Sequence, residues 1–272
     1  MELQVLVAAM HQNDNALLQN MNIQSDVIVG NQCNRTECRR FSYRGYDVLW
    51  LSSTERGVGR NRNHTLLQAT GEFCLFADED VSYRDGYAQA IVRSFSEKPK
   101  ADVIVFHMDR IRNGSVMPGK PHPGKRLHIW NAMRYGTCSI AIRRQRVLRA
   151  GITFSTQFGG GCPYGSGEDS LFLADCLRKG LRVYTSNWNL GSCTKDQSSW
   201  FTGYNEKYFY DKGAWLACAF PKLKHGLKWY MWFHYRNLTE LSARDILCQL
   251  NRGIRGYVCG QTFEQGAKEE TQ

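Results

Sequence analysis

Short apolar runs recur along the first half of this chain, with helix-like stretches between them. Residues 3–8 (LQVLVA), 27–29, 48–51, 73–77 (FCLFA), 103–106 and 137–142 have the length and character of strands covered on both faces. Asn13 and Asp14 offer a cap for a helix carrying Ala16, Leu17, Leu18 and Met21. A polar helix is predicted over 61–70, stopped by Gly71, and another over 85–95. This alternation predicts an α/β class chain with a mostly parallel central sheet flanked by helices. Ligands bind at the carboxyl ends of strands in such sheets, so the residues that follow each apolar run carry the most information.

The pattern then changes twice. Residues 110–126 form a basic loop rich in glycine and proline, and residues 159–167 are glycine-rich and feed a helix over 168–179. Beyond about residue 200, segments 205–220, 222–236 and 242–252 read as helical, basic and aromatic with no sheet pattern. A domain over 1–200 and a helical extension over 201–272 are therefore expected. Hydrophobic residues at 42% can fill a real core, and no apolar run reaches the ~20 residues of a membrane span. The start, Met1, Glu2, Leu3, Gln4, has no basic region of the signal-peptide kind. The ten cysteines are scattered without a CxxC pair, which argues for mostly buried, reduced thiols in a cytoplasmic protein. The formal charge of +10 fits nucleic acid, anionic lipid or phosphorylated small molecules, and does not choose among them.

Three constellations can carry chemistry. Asp78, Glu79 and Asp80 emerge at the end of the 73–77 strand, where close carboxylates repel unless a hard cation such as Mg²⁺ or Mn²⁺ sits between them. The bland alternative is an acidic turn capping the next helix. Residues 55–63 (ERGVGRNRN) place Arg and Asn at a helix start suited to phosphate, or simply form a solvated basic helix. Glu168 and Asp169 stand in the first turn of a helix behind Gly165, Ser166 and Gly167. Acids there favour the helix dipole, and one can also serve as a general base. Late in the chain, residues 222–236 mix cations with Trp and Tyr. They suit either an anionic membrane surface or aromatic packing against the remainder of the chain.

The order of these pieces, in GVGRNRNHTLLQATGEFCLFADEDV and YGSGEDSLFLADCLRKG, resembles family 2 glycosyltransferases of the GT-A fold over roughly residues 1–200. The resemblance implies an inverting transfer of sugar from a nucleotide-diphosphate donor to a glycan or lipid-linked oligosaccharide acceptor, as in surface polysaccharide biosynthesis. It implies Mn²⁺ or Mg²⁺ on Asp80 and Asp78, with Arg62, Asn63, Asp78 and Glu79 on the donor. Asp169 would be the base, with Glu168 positioning it or the acceptor. Many relatives carry an acid for the nucleotide base after the second strand; here Asn31 and Gln32 stand there. No histidine lies between His128 and His225 to complete the metal shell from late in the chain. The 1–200 domain would hold donor and acceptor, with Ser198, Ser199 and Trp200 on the acceptor side. The extension would touch acceptor or the inner face of a membrane. Two other classes compete. A sugar nucleotidyltransferase usually has a glycine-rich phosphate loop after its first strand, where this chain has residues 8–13 (AAMHQN). A basic nucleic-acid binder would need a recognition module, and none is visible, so no nucleic acid is expected.

Overall fold

The computed structural model describes residues 2–119, 123–194 and 201–269. The chain divides into two compact units, one of Met1–Thr156 with Glu168–Gln197, the other of Gln157–Gly167 with Ser198–Gln272.

The first unit is a helix-covered sheet. In chain order it runs β1 (Leu3–Met10), α1 (Ala16–Asn20), β2 (Asp26–Gln32), β3 (Glu37–Tyr43), β4 (Tyr46–Ser53), α2 (Val58–Gln68) and β5 (Phe73–Asp78). It continues with β6 (Val81–Tyr83), α3 (Tyr87–Glu97), β7 (Val103–Arg112), β8 (Ser115–Met117), α4 (Ile129–Ala132), a 3₁₀ turn (Thr137–Ser139), β9 (Ile140–Arg143) and α5 (Arg144–Arg149). After the excursion into the other unit come α6 (Glu168–Arg178) and β10 (Val183–Thr194). The strand order is β3-β4-β2-β1-β5-β9-β7-β10-β6, with β8 paired to β7. Strands β4, β2, β1 and β5 are parallel neighbours, as are β7 and β10, while β9 runs antiparallel between β5 and β7.

Alternating residues of β1 explain why its sequence is almost wholly apolar. Leu3, Val5, Val7 and Ala9 enter a core with Leu18, Met21, Ile91 and Phe95 from α1, its following turn and α3. Leu6 enters the opposite core with Leu66, Val147 and Phe172 from α2, α5 and α6. Both faces are buried, and the one polar residue of the strand, Gln4, is hydrogen-bonded there: its Oε1 accepts the Thr70 and Gly71 N–H groups at 2.7 and 2.8 Å.

The elements that sequence patterning missed are those with mixed polarity. In β3, burial alternates along ECRRFSY, and the charged side chains keep the sheet edge from templating another strand. It returns to β4 through Arg44 and Gly45, both at positive φ, as a tight two-residue hairpin requires. β10 carries Ser, Asn and Gly, and its pairing to β7 shifts register twice. The expected strand over 137–142 begins only at Ile140, because residues 137–139 form the 3₁₀ turn. The basic loop likewise opens as a hairpin, with Arg110 opposite Met117. Of the cysteines only Cys33, Cys74, Cys176 and Cys193 are buried; Cys38, Cys248 and Cys259 are exposed, which corrects the expectation that most are buried.

The second unit contains α7 (Glu206–Ala219), α8 (Lys224–Tyr235), α9 (Ala243–Cys259) and α10 (Phe263–Glu269). Helices α7 and α9 nearly touch at their backbones. A Cβ at Gly213 would lie 2.2 Å from the Leu250 carbonyl oxygen, and one at Gly253 would lie 1.9 Å from that of Tyr210. The glycine-rich segment 157–167 folds onto this pair: the Gly165 N–H donates to Asp211 Oδ2 at 2.9 Å, and the Tyr164 and Phe158 rings stack 4.8 Å apart. Gly253→Ala should therefore force α7 and α9 apart and cost about 2–3 kcal/mol of stability. Gly226→Ala, where a Cβ meets nothing, should add about 0.5–1 kcal/mol by favouring the helix. Urea midpoints of the two variants would move in opposite directions.

Candidate active site

The acidic triplet leaves the sheet between β5 and β6. Asp78 is the last residue of β5, in register with Ala8 of β1, and the Asp80 carbonyl accepts the Thr194 N–H of β10 at 3.0 Å. The three carboxylates have separate surroundings. Glu79 turns back to the end of β1, where its Oε2 accepts the Met10 N–H at 3.0 Å and the Gln12 side-chain amide at 2.7 Å. Asp78 is half-buried against a guanidinium, and Asp80 is the exposed member.

That guanidinium belongs to Arg62. Helix α2 is unusual in burying Asn61, Arg62 and Thr65, so its inner face is polar. Arg62 is 3% exposed; its Nη2 donates to Asp78 Oδ1 at 2.5 Å and its Nη1 to Glu168 Oε1 at 2.9 Å. Its Nε is buried without a hydrogen-bond partner, and its Cζ lies 5.4 Å from the Phe154 ring centroid. Burial opposes the charge, but the two carboxylates outweigh it and hold the guanidinium above its ordinary range. One side chain from α2 thus ties the end of β5 to the first turn of α6.

Beside Glu168, Asp169 Oδ1 accepts the Ser170 N–H at 2.6 Å, and a Cβ built on Gly136 would lie 3.8 Å from Asp169 Oδ2. Arg62→Met would take the shared guanidinium away from both Asp78 and Glu168. The expected cost is about 2–3 kcal/mol, below that of a fully buried pair because Asp78 keeps 38% of its side chain in solvent. Arg62→Lys should not restore it, because a single ammonium lacks the fork that reaches both acids. Urea denaturation of the two variants checks both statements.

A second cluster closes the ends of β1 and β2. The Asn31 amide clasps the Gln12 backbone, accepting its N–H at 2.9 Å and donating to its carbonyl at 2.8 Å. Gln32 Oε1 accepts the Gly57 N–H at 2.8 Å, just ahead of α2. Asn31 and Gln32 line a shallow pocket with Ser53, Glu55, Arg60 and His64. Asn63, expected on the donor, spends its amide on Phe154, accepting the N–H at 2.7 Å and donating to the carbonyl at 2.9 Å. Sequence reading gave no role to Gln12 or His64. The i, i+4 spacing of Arg60 and His64, one turn apart on α2, was the available signal. Ser198, Ser199 and Trp200 lie outside the described residues.

The carboxylates suit a hard cation. Asp78 and Asp80 both raise the proton affinity of the Tyr83 hydroxyl, after burial, and of the Cys138 thiol, after its Cys193 contact and burial, so the two acids border one neighbourhood. Among the described residues no group of three or more His, Cys, Asp or Glu gathers as a closed metal cage. Mg²⁺ or Mn²⁺ needs only one or two protein carboxylates when phosphate oxygens and water complete its shell.

Residues 15–153 match the family described as Glycosyl transferase family 2, which is half of the chain. The chain belongs to glycosyl transferase family 2. The matched stretch contains β2, α2 and the acidic triplet, and ends just beyond α5. No curated protein sequence matches the chain. Solved structures of S. aureus TarS share its fold. TarS 1–349 in complex with UDP-GlcNAc is 15% identical with a TM-score of 0.62, over 97% of this chain and 93% of that one. TarS 1–349 in complex with UDP gives 16% identity and a TM-score of 0.61 over the same shares. A longer TarS structure gives 18% and 0.58, covering 90% of this chain and 45% of that one. The mostly parallel sheet flanked by helices is thus the GT-A fold that the motifs implied, and the family 2 enzyme is a glycosyltransferase.

Proposed function

We propose that this enzyme moves a sugar from a nucleotide-diphosphate donor to a carbohydrate acceptor by a single inverting displacement. The acceptor is read as lipid-linked, in surface polysaccharide biosynthesis. The observation that carries the reading is the buried Arg62, which bonds both Asp78 at the strand end and Glu168 beside Asp169. Donor-side and base-side motifs, 90 residues apart in sequence, share one guanidinium. The S. aureus TarS structure with UDP-GlcNAc, alike in fold, supports a nucleotide-diphosphate sugar as the donor class.

Asp80 and Asp78 would hold Mn²⁺ or Mg²⁺. The cation, when bound, neutralises charge growing on the diphosphate leaving group. Arg62 holds the Asp78 carboxylate aligned at the strand end. Asp169 takes the proton from the acceptor hydroxyl as that oxygen attacks the anomeric carbon on the face opposite the leaving group. Glu168, anchored by Arg62, sets the first turn that carries Asp169. Asn31 and Gln32 border the place assigned to the nucleotide base, and Glu79 and Asn63 act on the donor side through the backbone they hold. Acceptor contacts are assigned to the 1–200 stretch and its helical extension. A thermal-shift panel of nucleotide sugars, each with Mn²⁺ and with EDTA, tests the donor class. Stabilisation by at least one nucleotide-diphosphate sugar, larger with Mn²⁺, is expected; none by any of them would refute the reading.

A further inference from the structure

Helix α8 turns its aromatic side outward. It has no buried residue, and Trp229, Tyr230 and Phe233 are 54%, 62% and 61% exposed, with Leu223 and Leu238 flanking them at 50% and 51%. The helix has an inner side, which makes this exposure a property of one face. Leu227, Lys228, Met231, Trp232 and Tyr235 are half-buried. Lys228 Nζ donates to Asn251 of α9 at 2.9 Å, and the Tyr235 ring meets those of Tyr208 and Phe209 of α7. The opposite face therefore needs no aromatic for folding within this unit, yet it presents three. A contiguous exposed apolar patch of this kind marks an interaction surface.

Charge says what covers it. From Lys212 to Thr239 the chain has Lys212, Lys222, Lys224, Lys228 and Arg236 and no Asp or Glu. Lys222 and Arg236 are exposed at the two ends of α8, and the Arg236 guanidinium lies 4.4 Å from the centroid of the Phe233 ring. A two-fold interface would bring this face against itself, cation to cation with no acid to offset them. An anionic bilayer surface matches both features: Trp, Tyr and Phe enter the headgroup region, while Lys and Arg remain at the lipid phosphates. No helix among the described residues is long and apolar enough to cross a membrane, so contact through α8 would be lateral.

We infer that the outward face of α8, built on Trp229, Tyr230 and Phe233 between Lys222 and Arg236, docks the protein on anionic lipid bilayers. The test is co-sedimentation of the full chain with phosphatidylcholine vesicles, with or without about one third phosphatidylglycerol. Binding is expected only with phosphatidylglycerol and should weaken as salt rises. The triple variant Trp229→Ser, Tyr230→Ser, Phe233→Ser should lose at least about tenfold in vesicle partition while keeping the wild-type melting temperature within a few degrees. Lys222→Glu with Arg236→Glu should reduce binding with all three aromatics retained, which keeps the inference testable if the triple variant fails to fold. Wild-type protein that ignores both vesicle types, or binds them equally, overturns it. So does wild-type partition in the variants. A wild-type dimer that the triple variant turns into a monomer would assign the face to a second copy instead.

Discussion

An Asp169→Asn enzyme should bind nucleotide sugar as tightly as the wild type and transfer it at least about 10²-fold more slowly. The change is isosteric. The Asn oxygen can still accept the Ser170 N–H that Asp169 accepts at 2.6 Å, so the start of α6 keeps its geometry. What disappears is a group able to take a proton from an attacking hydroxyl. Glu168→Gln provides the contrast. Glu168 is bonded to Arg62 at 2.9 Å, and its neutral replacement should lower stability together with turnover. Donor affinity from calorimetry, set beside single-turnover transfer rates, separates the two. Transfer by Asp169→Asn at the wild-type rate would remove Asp169 as the base.

Asp80→Ala should erase the part of donor affinity that depends on Mn²⁺ or Mg²⁺ and leave the fold intact. The backbone of Asp80 is pinned through its carbonyl to Thr194, which an alanine preserves, and the side chain is exposed. Its loss should change stability by no more than about 0.5 kcal/mol. Asp78→Ala differs: it also strips one partner from buried Arg62, so donor binding and stability should fall together. Titrating donor against each variant, with the cation and with EDTA, distinguishes the two acids. An Asp80→Ala protein with undiminished cation-dependent binding would move the cation elsewhere.

The fold was legible wherever burial leaves one choice of residue. β1 and β5 are almost wholly apolar because both faces are packed, and such strands announce themselves in sequence. β3 and β10 were invisible because a charged edge and a twice-shifted register relax that demand. The acidic triplet, the Arg-Asn helix and the Glu-Asp pair were legible as types. Their division of labour was not, since it depends on partners distant in sequence. Nothing local says that Glu79 faces the end of β1, that Asn63 closes on Phe154, or that Arg62 spans 106 residues to Glu168. The outward face of α8 falls between these cases. Its aromatics and cations are plain in the sequence, but only the packing of Lys228 and Tyr235 reveals which side is covered.

The most direct measurement is of the nucleotide product. The purified protein, given a nucleotide-diphosphate sugar, divalent cation and a carbohydrate acceptor, should release nucleoside diphosphate in step with glycosylated acceptor. The anomeric configuration of the new linkage, read by NMR, should be opposite to that of the donor. Release of pyrophosphate in place of nucleoside diphosphate, or a linkage with the donor's configuration, would contradict single-displacement sugar transfer at this site.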